Sequence, residues 1–184
     1  MSTRVNRKEA LESIQSNIQD KNRVKHILTT EAIMRALAER LEEDADEWGI
    51  TGLLHDIDIE LVEDDPSSHG RLGADIAREL GANNNMVHAI LCHNAANGIS
   101  RESKLDKSLF CTIHLSNLLT EVFSTQPNRI TEQSTKSIIN SLLKEKSPIF
   151  TTNKEYIAQC NEIGLGLEEF IKVGIEALKG MSSD

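Results

Sequence analysis

Aromatic residues, cysteine and proline are all scarce in this sequence of 184 residues. Phe, Trp and Tyr together make up 3% of it, and three cysteines and three prolines occur. Cys92, Cys111 and Cys160 stand at unrelated spacings and form no CxxC pair, which argues against a disulfide framework, a cysteine zinc site or a redox pair. We interpret them as buried apolar thiols of a protein in a reducing cytosol.

Long apolar runs and an excess of basic residues are also missing. No stretch approaches the roughly 18 apolar residues that span a bilayer, and the amino-terminal string MSTRVNRKEA has no signal-peptide core, so we expect a soluble, cytoplasmic protein without a membrane partner. Acidic residues outnumber basic ones by 29 to 20, giving a net charge of -9. A nucleic-acid polymer held through its phosphates needs a basic surface, so the net charge argues against such a partner. It does not exclude a small phosphorylated substrate, because only local charge or a metal matters at such a site.

The apolar residues recur with a helical period, and no segment alternates with period two. This pattern predicts an all-α fold, a single-domain helical bundle. One amphipathic helix is predicted from Thr30, with His26 at its entrance, and another along the apolar stripe from Leu167 to Leu178. Further helices are predicted at about residues 46–56, 69–80, 84–93, 105–123 and 133–144.

The length of the chain suits one domain, because a chain of this size can bury a hydrophobic core without disulfides. We predict a single domain over residues 1–184, in which helices at about residues 130–180 pack on a core at about residues 20–125. The acidic stretch 60–65 is interpreted as a surface loop, with cation binding as the open alternative. Three prolines in polar neighbourhoods are predicted in loops between helices: Pro66, Pro127 and Pro148.

One of the six histidines directly precedes an aspartate, in the string GLLHDID at residues 52–58. Neighbouring side chains on a helix diverge by about 100 degrees, so His55 and Asp56 can reach one ion only near a helix end or in a groove between helices. Other ligands must then come from other helices, and His26, 29 residues before His55, is placed to provide one. His88 is interpreted as a hydrogen-bonded structural residue.

The order of several short strings carries a more specific signal. His26 precedes WGITGLLHDID (residues 48–58), followed by HG at 69–70, HN at 93–94 and Arg101. This order resembles the HD superfamily of metal-dependent phosphohydrolases, in particular its small single-domain HDIG-type members. The likeness continues into KSPIFTTNKEYIAQCNEIGLGLEEF, residues 146–170. The resemblance implies an all-helical fold, a divalent metal held by His and Asp side chains, and hydrolysis of phosphate esters, often of nucleotides.

The resemblance also implies a set of metal ligands. His26, His55 and Asp56 are predicted to hold the metal, and His93 corresponds to a place where some relatives bind a second metal or contact the substrate phosphate. We assign His93 to the metal site. Imidazole and carboxylate ligands together suit manganese, iron, cobalt, nickel or zinc better than calcium.

Two further residues are predicted to act at the phosphate. His69 corresponds to another position where relatives bind a second metal or the phosphate, and we assign it to catalysis. Arg101 has the planar donor fork that suits a phosphate, and a surface salt bridge with Glu102 or Asp106 is its open alternative. Asp58 is predicted either to orient a ligand histidine or to lie at a solvated helix end.

One position departs from the family pattern. The family usually supplies a last aspartate ligand from a later helix, and SLFCTIHLSNLL, residues 108–119, resembles that helix with Ile113 at the matching position. Isoleucine cannot bind a metal, and the adjacent His114 replaces the lost ligand only if the helical register shifts. We therefore carry two functions: a metal-dependent phosphohydrolase acting on a small phosphate ester, such as a nucleotide, and a degenerate HD domain that binds a nucleotide or partner protein without turnover.

Overall fold

The computed structural model describes residues 5–62, 65–125, 133, 135–144 and 148–181. Within these ranges there are nine α-helices and no strand, which confirms the all-α fold. The helices are α1 (Arg7–Asn17), α2 (Lys21–Leu41), α3 (Ala45–Leu54), α4 (Arg71–Glu79), α5 (Asn84–His93), α6 (Lys104–Thr125), α7 (Thr135–Lys144), α8 (Pro148–Ile157) and α9 (Leu167–Met181). Short 3₁₀ turns cover Pro66–Ser68, Ala95–Asn97 and Ala158–Ile163. No helix in the described ranges is long and apolar enough to cross a membrane.

Side-chain caps begin three of the helices that position the site. Asp20, Asp44 and Asn83 precede α2, α3 and α5, and the side-chain oxygen of each accepts hydrogen bonds from amides of the first turn. Those amides have no partner within their helix. Each cap therefore stabilises its helix by about 1 kcal/mol and determines the residue at which the helix begins.

Helix α2 differs from its prediction, because it begins at Lys21 and not near Thr30. His26 consequently lies in the second turn of α2, and the expectation that it stands at the helix entrance is wrong. Residues 21–26 contribute few apolar side chains to a stripe, so the periodic pattern starts later than the helix does. The cap at Asp20 is the local signal for the true start.

The prolines have different outcomes. Pro66 lies in a short turn between α3 and α4, as predicted, whereas Pro127 falls outside the described residues. Pro148 is the first residue of α8, so its predicted placement in a loop is wrong. A helix tolerates proline at its first position because the amide there has no partner within the helix.

Among the described residues, buried apolar side chains form two clusters, and α2 contributes to both. Ile27 of α2 belongs to a cluster with side chains of α1, α3, α4 and α5, whereas Leu37 of α2 belongs to a cluster with side chains of α6, α7 and α9. The three cysteines are free and buried, as predicted. Because α2 contributes to both clusters, packing in both parts of the core fixes its position.

Candidate metal centre

Four histidine rings surround the carboxylate of Asp56, directly after α3. The Nε2 atoms of His55 and His26 lie 3.2 and 3.8 Å from Oδ2 of Asp56. The Nε2 atoms of His69 and His93 lie 3.4 and 3.5 Å from its Oδ1. Each carboxylate oxygen thus faces two ring nitrogens, and the fold brings together the four predicted metal ligands and His69.

The end of α3 explains how neighbouring side chains reach one point. His55 is the residue that closes α3, and the chain turns out of the helix at Asp56. His26 comes from α2, and His93 is the last residue of α5. His69 lies in the turn that leads into α4. The adjacent pair therefore stands at a helix end between other helices, as the geometry of a helix required.

The Nδ1 atoms on the opposite edges of these rings have their own partners. His55 and His93 each place Nδ1 against the backbone carbonyl three residues earlier, at 2.7 and 2.5 Å. His69 places Nδ1 2.9 Å from Oδ1 of Asp58. A carbonyl or a carboxylate can only accept, so these three rings donate from Nδ1. In their neutral forms they direct the Nε2 lone pair toward Asp56, as a metal ligand does.

A chain of hydroxyl groups orients His26. Its Nδ1 lies 3.0 Å from Oγ of Ser116 on α6, and Oγ of Ser116 lies 2.8 Å from Oγ1 of Thr30. Thr30 in turn donates to the carbonyl of His26 itself, at 2.9 Å. Burial, together with the neighbouring His55, lowers the pKa of His26 to about 4. The His26 ring is therefore neutral at neutral pH, with Nε2 facing the carboxylate.

Asp58 orients His69 and is not at a solvated helix end, which settles that alternative. It is fully buried, and its Oδ2 accepts the amides of Gly70 and Gly73 at 2.8 Å each. A Cβ at Gly73 would lie 3.2 Å from the Asp58 carboxyl carbon, so glycine lets the start of α4 approach the carboxylate. Burial opposes a charged His69, but Asp56 and Asp58 outweigh it and raise the pKa of His69 to about 9.

The donor atoms fit one or two divalent cations that share Asp56. Two groups of ligand atoms each lie within 4.8 Å of one another: His26, His55 and Asp56 form one, and Asp56, His69 and His93 form the other. Nε2 of His55 is buried and has no hydrogen-bond partner. A buried polar atom without a partner costs free energy, which a cation would remove. The mixed nitrogen and oxygen set suits the transition metals named above.

One face of α6 forms the adjoining wall of the cavity. Ser116 places this turn of α6 beside His26, and half-buried Ile113 lines the cavity there. Exposed Asn117, one helical turn later, also lines it and offers an amide oxygen that sequence analysis missed. Its spacing of four residues from Ile113 was the available signal. His114 belongs to neither ligand group, and its Nδ1 instead lies 3.0 Å from Asn153 Oδ1.

The cavity extends from the histidines to an aromatic wall and has a volume of about 700 Å³. The rings of His114 and Tyr156 stack with centroids 4.4 Å apart, and Phe110 meets Tyr156 edge-on at 5.6 Å. Arg101 is not among the residues that line the cavity, and its guanidinium carbon lies 3.7 Å from the Phe110 ring centroid. The predicted phosphate contact of Arg101 therefore stays a prediction.

The helical fold and the histidine cluster around Asp56 are features that can be compared with known protein families. Residues 23–123 match the family described as HD domain, which is more than half of the chain. The chain belongs to the HD domain family, which confirms the resemblance found in its sequence.

Among curated proteins, the chain is similar to Ribonuclease Y of several bacteria. That of Salinispora arenicola is 36% identical over 73 residues, which is 40% of this chain and 12% of that protein. Those of Pseudothermotoga lettingae and Nitratidesulfovibrio vulgaris are 33% identical over 73 residues, 40% of this chain and 14% of each protein. The likeness thus covers 12% to 14% of these relatives. No solved structure gives a significant match to the chain.

Proposed function

We propose that this HD domain is a metal-dependent phosphohydrolase that acts on a small phosphate ester, with nucleotides as the substrate class. The observation that carries the proposal is the convergence of four Nε2 atoms on the two oxygens of Asp56. A divalent cation held by Asp56 and these histidines would supply positive charge to the phosphoryl group and would lower the pKa of water, which would then act as a nucleophile at neutral pH.

The surrounding residues position the histidine nitrogens and keep the Asp56 carboxylate charged, as metal binding requires. The Nε2 atoms of His26 and His55 face Oδ2 of Asp56, while those of His69 and His93 face Oδ1. Burial would raise the pKa of Asp56, but His55, His69 and His93 hold it well below its usual range, so the carboxylate stays ionised. The contacts of His69 with Asp56 and with His93, at 3.4 and 3.1 Å, favour a ligand role over the phosphate contact predicted for it.

The lining of the rest of the cavity suits a nucleotide as the ligand. Asn22 and Arg23 line it with polar side chains, and Nη1 of Arg23 lies 3.9 Å from Oε1 of Glu60. Tyr156 is 42% exposed and lies on the aromatic wall of the same cavity. A nucleobase stacked on an aromatic ring gains about 1 to 3 kcal/mol, so this wall suits the base of a ligand whose phosphate faces the histidines.

A degenerate domain that binds a nucleotide without turnover is the second candidate. The turn of α6 beside His26 carries Ile113 and Asn117, and neither side chain offers a carboxylate. A site with one negative charge fewer holds metal more weakly. The same cavity then serves binding alone.

A phosphatase screen separates the two candidates. The purified protein is loaded with Mn²⁺ and assayed on nucleoside monophosphates, simple phosphomonoesters and a short RNA, the last because the curated relatives are named Ribonuclease Y. We expect phosphate release from nucleotides, loss of release in Asp56→Asn, and full release in Asp75→Asn, a matched change at an exposed carboxylate. Nucleotide binding without release from any substrate would support the degenerate domain and contradict the hydrolase.

A further inference from the structure

We propose that His88, Cys92 and Asp106 form a separate zinc site that joins α5 to the start of α6. One ligand atom from each residue lies within 4.8 Å of the others. Sulfur, imidazole nitrogen and carboxylate oxygen are the three donor types that zinc binds in proteins. Around a tetrahedral zinc such donors are about 3.3 to 3.8 Å apart, so a small contraction of the cluster suffices.

The backbone already places these residues together. His88 and Cys92 are four residues apart on α5, so they lie on one face of that helix. Asp106 lies in the first turn of α6, and its Oδ2 is 3.1 Å from Nδ1 of His88. All three ligands stand on helices, which hold a metal site more firmly than loops do.

An independent observation indicates that this cluster can bind a cation. Asp106 is 1% exposed, and its Oδ1 is a buried oxygen with no hydrogen-bond partner. Its Oδ2 accepts the amides of Glu102 and Ser103, at 2.9 Å each, and Ser103 Oγ accepts the amide of Asp106. These bonds cap the start of α6 and account for Oδ2. They leave Oδ1 unexplained, and a buried carboxylate oxygen without a partner is costly.

The ligand types select the metal. Calcium and magnesium prefer oxygen ligands, whereas a thiolate beside an imidazole selects zinc or a similar thiophilic ion. Cys92 is fully buried, while the side chain of His88 is 38% exposed, so the metal would enter from the His88 side and keep a fourth position for water. The effect of the zinc would be structural, because it would fix α5 against α6. These two helices carry His93 and Ser116, which belong to or orient the cluster around Asp56.

Cobalt substitution tests this site without any assay of activity. Co²⁺ bound to a thiolate gives a near-ultraviolet charge-transfer band, and neither ligand group around Asp56 contains a sulfur. Titration of the full chain with Co²⁺ should produce the band, which levels off once the thiolate site is filled, and added Zn²⁺ should remove it. The band should persist in Asp56→Asn and in Cys111→Ser, a matched change at another fully buried thiol.

Two variants bear on the ligands themselves. Cys92→Ser should lose the band, and His88→Ala should weaken binding about ten-fold or more; His88 is partly exposed, so its replacement leaves the core intact. Circular dichroism verifies that each variant is folded. No band in the wild-type protein, a band in folded Cys92→Ser, or an unchanged affinity for Co²⁺ in folded His88→Ala would overturn the proposal.

Discussion

Nε2 of His69 lies 3.1 Å from Nε2 of His93. Both rings donate from Nδ1, to Asp58 and to a backbone carbonyl, so their neutral forms would direct two lone pairs at each other. Such a contact is stable only with positive charge between the nitrogens. A proton on His69 provides this charge, and a divalent cation bound by the two rings would replace that proton.

This contact predicts a pH-dependent affinity for metal. Despite burial, Asp56 and Asp58 raise the pKa of His69 to about 9, so binding at this group of ligands must release a proton at neutral pH. Affinity for Mn²⁺ should therefore rise about ten-fold per pH unit below pH 9 and level off above it. His26, whose pKa is lowered to about 4, adds nothing to this slope. Calorimetric titration between pH 6 and pH 8 measures it, and a flat profile would contradict the exchange of proton for metal.

Ser116→Ala tests the hydroxyl chain behind His26. The variant removes the partner of His26 Nδ1 at 3.0 Å and frees the ring to turn. We expect metal affinity to fall about 10- to 100-fold, with a loss of about 1 kcal/mol in the free energy of unfolding. Ser16→Ala is the matched control, because Ser16 bonds only a carbonyl of its own helix at an exposed position. Equal metal affinity in the two variants would show that Ser116 does not orient the ligand.

Carboxylates placed on α6 test the missing charge. Ile113→Asp should tighten Mn²⁺ binding and raise phosphatase activity if its side chain takes the place of the carboxylate that relatives carry. Ile113 is half-buried against the core, so this variant should be unstable without metal and regain stability when metal is added. Thermal unfolding with and without Mn²⁺ measures this rescue. A variant that stays destabilised at saturating metal would show that Ile113 is ordinary core.

Asn117→Asp is the companion to that variant. Asn117 is exposed and lines the cavity one turn from Ile113, so its replacement adds a carboxylate with almost no change in shape and little cost in stability. We expect tighter Mn²⁺ binding in this variant as well. The position that gives the larger gain identifies the turn of α6 that faces the metal, and no gain at either position would place the metal away from α6.

The sequence predicted features that depend on neighbouring residues better than features that depend on the packing of distant helices. The bounds of α5 agree with the predicted residues 84–93, because an asparagine cap precedes the helix. His26, His55 and Asp56 follow from an ordered motif. Asn117 and the aromatic wall were missed, because the contact between Phe110 on α6 and Tyr156 on α8 depends on how two distant helices pack. Periodicity reveals which face of a helix is apolar but not which helix it meets.

Tyr156→Ala tests the aromatic wall as a base platform. Loss of stacking should raise KM for a nucleoside monophosphate about ten-fold or more, because stacking contributes about 1 to 3 kcal/mol. The kcat should change little, and KM for a phosphate ester without a ring should stay the same. Tyr156 is 42% exposed, so the fold should tolerate the change. An equal rise in KM for both substrates would remove the wall from substrate selection.

Metal content is the measurement that tests the central claim most directly. Wild-type protein, Asp56→Asn, His55→Ala and the exposed control Asp75→Asn are each equilibrated with Mn²⁺, desalted and examined by elemental analysis. Because both ligand groups share Asp56, Asp56→Asn should lose nearly all bound manganese, whereas His55→Ala should lose the metal held with His26 and any hydrolysis. Asp75→Asn should match the wild-type protein, and circular dichroism should show unchanged helicity throughout. Full manganese occupancy in folded Asp56→Asn would contradict the assignment of this cluster as the metal centre.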